Sequence, residues 1–352
     1  MKKIAISLFV VIVLVIFLGN YYYKDKLMEK KERAIAAQEV MNERYVKIEA
    51  IEQEIYKDIP GLVVWGDSIT AGAGGDGTTY PNVLKEIISR EVYSIPVINM
   101  GVGGDNTKAI MGRAGSVPFV VNEFTIPKDN SKVEIKIQLS NGDFVAPMRQ
   151  GNGGINPVTI AGVKGKISIE QESVVSDKYT YYFERALAGD IVEVRDNTVI
   201  NIANDSAYNN YVPIIFMGQN GGYEDSEDLI KQIKSIISMD KSNDKYLVLG
   251  LTSGDEATRE ALEEDMEREF GNKYLNLREF ISENGLEAAG IKATEKDKKA
   301  MKVGAVPPSL LYDTTHFNAE GYKVIAQVVY ERLESLGYFD NVKNLLEEKK
   351  SL

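Results

Sequence analysis

The chain has 352 residues, 44% of them hydrophobic and 26% charged, which allows a packed core and more than one domain and leaves disorder as a poor description. Its net charge of −11 argues against a nucleic-acid partner, which would need a basic face. With no cysteine and one histidine, disulfides, thiolate or His-rich metal sites and cysteine nucleophiles are excluded, and any imidazole chemistry falls to His316.

At the N-terminus Lys2 and Lys3 precede an apolar run at 4–19, followed by Tyr21, Tyr22 and Tyr23. Residues 4–23 as a helix would extend ~30 Å, enough for a bilayer core, with the tyrosines at the interface. Residues 1–23 are therefore expected to form an uncleaved transmembrane anchor. A cleaved signal would need a small-x-small site directly after the run, and the nearest, Ala34-Ile35-Ala36, lies well downstream. The expected location is the cell membrane, single-pass, with the body outside the cytoplasm; the lysines after the span argue for the opposite orientation. Residues 24–59 read as a helical stalk ended by Pro60 and Gly61, with Ala34, Met41, Ile48 and Ile55 repeating every seven positions. That seam suits either packing on the body or a weak coiled-coil dimer.

Residues 62–65 are a short β-branched apolar run, read as a buried strand, and Gly66-Asp67-Ser68 follows directly. A serine in a glycine-rich turn at the C-terminal edge of a strand is where open α/β sheets place chemistry. A second strand at 97–98 leads into Asn99-Met100-Gly101-Val102-Gly103-Gly104, and a third at 212–217 into Gly218-Gln219-Asn220-Gly221. Near the other end stands Asp313-Thr314-Thr315-His316, before a helix over 319–336 that Asn318 can cap. An aspartate three residues before a histidine can accept the Nδ1 hydrogen and leave Nε2 as base for a serine hydroxyl. For a lone motif the bland readings, a surface turn or a helix cap, would win.

The four blocks, in this order, resemble the SGNH hydrolase family, also called the GDSL family, over about 61–117 and 211–338. The resemblance implies a three-layer, flavodoxin-like α/β fold with a mostly parallel sheet. It implies Ser68 as nucleophile, His316 as base and Asp313 as its partner, with an oxyanion hole from the Ser68 and Gly104 amides and the Asn220 side chain. It requires no metal and no cofactor. Gly221 departs from the pattern, which often has Asp there, and this bears on loop geometry or acyl preference. Asp67 and Asn99 read as supporting braces of their loops, and Thr70 and Tyr80 as packing.

The catalytic domain is then discontinuous, 60–117 and 211–340, around an insert at 118–210. In the insert, strands are expected at 119–121, 133–137, 158–160, 166–169, 179–183, 191–194 and 199–202, with turns at 141–142, 151–154, 188–190 and 196–197. This spacing predicts a small all-β sandwich or barrel. Tyr179, Tyr181, Tyr182 and Phe183 could form a sugar platform, but alternation turns about half of them to the core. Peptidoglycan O-acetylesterases in the superfamily include members with such an insertion. A further strand is expected at 246–251, an amphipathic helix at 224–239 and an acidic one at 257–270; 341–352 is a charged tail.

The expected activity is hydrolysis of ester groups, O-acetyl above all, on a cell-envelope polysaccharide. The alternatives are a lipid or lysophospholipid esterase, an O-acyltransferase on the same triad, and, in another class, a non-catalytic envelope-glycan-binding protein.

Overall fold

Apolar runs without alternation bury both faces, as the interior strands of a parallel sheet do. In the computed structural model, which describes residues 2–145, 154–172, 178–202, 208–239 and 244–352 and only the backbone at 2–8, Leu62–Gly66 forms β1 and is buried throughout. It lies between β2 (Val97–Gly101) and β12 (Val212–Ile215), parallel to both, with Val64 opposite Asn99 on one side and Ile214 on the other. Adding β13 (Leu247–Leu249) and β14 (Tyr274–Leu275) gives a five-stranded parallel sheet in the order β14-β13-β12-β1-β2. Parallel strands need crossovers, and helices supply them. Between the strands lie α2 (Ser68–Ala71), α3 (Tyr80–Glu91), α4 (Thr107–Ala114), α5 (Ser226–Ile237) and α6 (Glu256–Phe270), and after the last strand come α7 (Leu277–Ala288), α8 (Glu295–Met301) and α9 (Ala319–Ser335). Helices α3 and α9 pack side by side, as do α4 with α5 and α5 with α6.

The insert connects its strands by turns too short for crossovers, so they pair antiparallel. They are β3 (Phe119–Val121), β4 (Phe124–Ile126), β5 (Val133–Ile135), β6 (Ile137–Leu139), β7 (Val158–Ile160), β8 (Val163–Gln171), β9 (Tyr179–Arg185), β10 (Val192–Val194) and β11 (Thr198–Ile202). Seven form one sheet, β5-β9-β8-β7-β11-β3-β6, and β10 pairs with β4. The run at 133–137 is broken at Lys136, whose N–H bonds to Asn122 Oδ1. The strand at 124–126, Phe-Thr-Ile, is too short for its alternation to stand out. Tyr181 and Phe183 of β9 are buried and Tyr182, on the opposite face, is half-buried, as alternation requires; Tyr179 shares the buried face but is half-buried at the strand's start. Part of the expected turn at 151–154, residues 151–153, lies outside the described residues.

The fold expectation needs correction. The chain as a whole is not a three-layer, flavodoxin-like SGNH fold with a small insert. It is a mixed α/β protein in which the antiparallel sheet, nearly a barrel, has more strands than the parallel one. Both sheets contribute to one apolar cluster, from Trp65 and Met217 to Phe183 and Ile200. Among the described residues no helix is long and apolar enough to cross a membrane; the expected span began at Ile4, where side chains lie outside the described set.

By contacts the chain forms two compact units, Met1–Ile55 with Asn344–Leu352, and Tyr56–Lys343. The insert and the parallel-sheet body both belong to the larger unit. The smaller unit holds most of α1 (Lys2–Asp58), which runs without a break from the apolar segment into the stalk, and the end of α10 (Asp340–Ser351). Lys349 Nζ meets Glu52 Oε1 at 2.5 Å there. The heptad seam is buried only near its end: Ile55 is buried and Ile48 half-buried, but Ala34 and Met41 are exposed; Ile51, off the seam, is also buried.

Candidate active site

The C-terminal ends of β1, β2 and β12 converge, and the blocks after them form one site. Ser68 is the first residue of α2, so its N–H belongs to the first turn, which has no intrahelical acceptor. Asp67 caps that turn, its Oδ1 accepting the Ile69 N–H at 2.9 Å. Asn99, in β2, donates from Nδ2 to Thr70 O at 2.9 Å and accepts the Gly101 N–H at 2.9 Å on Oδ1. It thereby fixes the nucleophile turn to the second loop. A Cβ on Gly101 would stand 2.2 Å from Ala71 N, so only glycine permits this approach. Thr70 Oγ1 and the buried Tyr80 hydroxyl bond at 2.9 Å, consistent with packing roles.

The histidine arrives from the other end of the chain. Residues Leu311 and Phe317 bridge, and Tyr312 N–H donates to His316 O at 2.8 Å, closing the 312–316 loop. Asn318 caps α9 by accepting the Gly321 N–H at 3.0 Å, and its Nδ2 donates to Ser309 O at 2.9 Å. Ser309 in turn is held by the buried Asp297, through its N–H at 2.9 Å and its hydroxyl at 2.7 Å. Tyr322 of α9 donates to Ala73 O at 2.7 Å, tying the histidine loop to the glycine-rich turn after Ser68.

These constraints place His316 Nε2 2.9 Å from Ser68 Oγ and His316 Nδ1 2.8 Å from Asp313 Oδ2. The other Asp313 oxygen accepts the N–H groups of Thr315 at 2.8 Å and His316 at 2.7 Å. The imidazole hydrogen bond, with those two amides, holds the Asp313 carboxyl down at about 2. It is therefore ionised across the working range of an enzyme, and it fixes the tautomer that leaves Nε2 free for the serine.

Gly104 sits in the loop after β2 with φ +82°, a left-handed conformation suited to glycine. The neighbouring Gly103 backs onto Ser68, with 3.9 Å between a Cβ placed there and the serine Cβ. Asn220 joins the same cluster: Nδ2 donates to Asp105 O at 3.0 Å and reaches Asp67 Oδ2 at 3.4 Å. Ser68, His316 and Asp313 thus share one hydrogen-bonded chain, with Asp67, Asn99 and Asn220 bonded to the loops around it and Gly104 in the loop that follows β2.

A buried ion pair beneath the site went unnoticed in the sequence. Arg113 of α4 meets Asp105 Oδ2 through Nε at 2.7 Å, and donates to Met100 O at 2.7 Å and Gly66 O at 3.0 Å. It clamps together the ends of β1 and β2. The available signal was an arginine within an otherwise small and apolar helical stretch, 109–114.

Asp67 is fully buried, and burial, helped by the Asp105 carboxylate, pushes it up to about 7 against the opposing Ile69 N–H bond and His316. Because the folded value exceeds that of the unfolded chain, the neutral form's stabilisation is complete below about pH 4 and is lost as pH rises through about 7. Wild type should lose on the order of a few kcal/mol of stability across that window relative to Asp67→Asn. Denaturant unfolding of both proteins at pH 5 and pH 8 measures this, and parallel pH dependences would refute it.

No protein-family model matches the chain, and no curated protein matches it.

Proposed function

We propose that the protein is a serine esterase of the SGNH type that hydrolyses O-acetyl esters on a polysaccharide. The observation that carries this reading is the continuous relay Asp313–His316–Ser68, with contacts of 2.8 and 2.9 Å. The likeness of the four sequence blocks to that family supports it. Ser68 Oγ attacks the ester carbonyl carbon as His316 Nε2 takes its proton. The oxyanion is held by the Ser68 and Gly104 amides and by Asn220 Nδ2, whose long contact to Asp67 is the one most readily surrendered. The tetrahedral centre collapses, the sugar oxygen leaves with the proton from His316, and acetyl remains on Ser68. Water, deprotonated by His316, attacks the acyl-enzyme and releases acetate, restoring Ser68 and the neutral imidazole. Asp313 stabilises the imidazolium in both halves.

The test is hydrolysis of p-nitrophenyl esters from acetyl to dodecanoyl. Activity is expected to be steepest on acetyl. A maximum at long chains would replace the O-acetyl assignment with a lipid esterase, and no hydrolysis of any ester would sink the esterase reading.

A further inference from the structure

Beside the site lies a groove of about 610 Å³, bounded on one side by Asp143 and Phe144 of the insert and on the other by 222–232. Its wall includes residues that directly follow two loops of the candidate active site. Asn106, in its wall, follows Asp105, and Gly222 stands two residues after Asn220; Thr107 N–H donates to Gly221 O at 3.1 Å and joins the two loops. Lys108 of α4 and Asp143 of the insert pair at 3.2 Å across one end.

We propose that this groove is a subsite for an uncharged sugar residue of the polymer whose ester reaches Ser68. The inference rests on the esterase reading above and names the part of the substrate beyond the ester. Three observations carry it. Phe144 is 67% exposed, and its ring is supported by Tyr179 at 6.1 Å. An exposed, braced aromatic presents a face to the apolar side of a sugar ring. Gln232, in the groove wall, is 7% exposed; its Nε2 donates to Gly222 O at 3.1 Å and to Asp228 Oδ2 at 2.9 Å, but its Oε1 has no partner among the described residues. A buried acceptor left without a donor is costly, and a small turn of the Gln232 side chain toward the groove would let a sugar hydroxyl supply one. Lastly, five carboxylates, from Asp143 and the 224–228 segment, line the groove with only Lys108 and Lys231. That excess accepts bonds from hydroxyls and repels a polyanion such as a polyuronate. An acyl chain would strip water from the carboxylates and Gln232 and return no hydrogen bonds, so it fits the groove worse than a glycan does.

The experiment measures acetate release from acetylated glucomannan, acetylated polygalacturonate and p-nitrophenyl acetate. Wild type should show kcat/KM about tenfold higher on the neutral polymer than on the anionic one at low salt, with the gap narrowing as salt rises. Phe144→Ala, at an exposed position whose loss spares the core, should raise KM for acetylated glucomannan about tenfold with little change in kcat. The subsite is overturned if Phe144→Ala leaves that KM unchanged, if wild type prefers polygalacturonate, or if p-nitrophenyl acetate is hydrolysed and neither polymer is. Failure on all three substrates removes the esterase reading itself, and the subsite with it.

Discussion

Ser68→Ala is expected to lower ester hydrolysis by about 10⁴–10⁶-fold while leaving the unfolding midpoint close to that of wild type. The hydroxyl is the only atom in the relay placed to form the acyl bond, 2.9 Å from His316 Nε2. Removing it deletes the nucleophile but keeps the Ser68 amide, which the backbone supplies. Asp67 still caps the turn through Ile69. The fold-stabilising contacts of the turn therefore survive, and the loss should appear in kcat. A companion, Asp313→Asn, should cost about 10⁴-fold, because an amide in place of the carboxylate no longer dictates which imidazole nitrogen carries the hydrogen. The measurement is steady-state turnover of p-nitrophenyl acetate by purified variants. A Ser68→Ala enzyme within tenfold of wild type would remove Ser68 from the mechanism.

Arg113→Met should destabilise the protein by about 3–5 kcal/mol, the usual cost of removing one partner of a buried ion pair. Both side chains are almost wholly buried, at 2% for Arg113 and 1% for Asp105. The arginine also satisfies two strand-end carbonyls, Met100 O and Gly66 O. Methionine fills similar volume but donates nothing, so Asp105 is left as a carboxylate without its cation. Adding Asp105→Asn to Arg113→Met should recover part of the loss, because the uncompensated charge is then gone. Denaturant unfolding of the three proteins reads the effect. A single variant within 1 kcal/mol of wild type would show that the pair contributes little. Activity should fall in Arg113→Met beyond what its unfolded fraction explains, since the strand ends it clamps carry Ser68 and the Gly104 loop.

The residues of the site were legible because each carries a local signal. A serine at the end of an apolar strand, an asparagine before a glycine-rich loop and an Asp–His pair three apart describe turns that short-range geometry builds unaided. The single histidine removed any ambiguity about the base. Most of the insert's strands were legible for a similar reason, since alternation and Gly or Asn turns are local; β4, with one buried position in three, escaped, and β6 was merged with β5 into one expected strand.

What the sequence did not reveal depends on contacts between distant segments. The heptad seam at 34–55 repeats evenly, yet among its four residues only Ile55 is buried, because periodicity specifies a face and not what covers it. The apolar N-terminal run and the stalk read as two elements, and the backbone joins them in one helix without a break. The weight of the antiparallel sheet was also hidden, because its strands are short and only their pairing makes them one surface of seven.

The sequence by itself determined which side chains could take up the proposed chemistry: a serine, a histidine and an aspartate carried by recognisable turns, with no thiol or second imidazole to compete. Tertiary structure alone decided that these groups, 248 positions apart at the widest, stand within hydrogen-bond reach. It also decided that Arg113 ties together the strands beneath them, and that Phe144 of the insert borders a groove beside them. The physical reason is that local sequence fixes turns and faces through short-range sterics, whereas proximity between segments is set by how the sheets and helices bury their shared apolar surface.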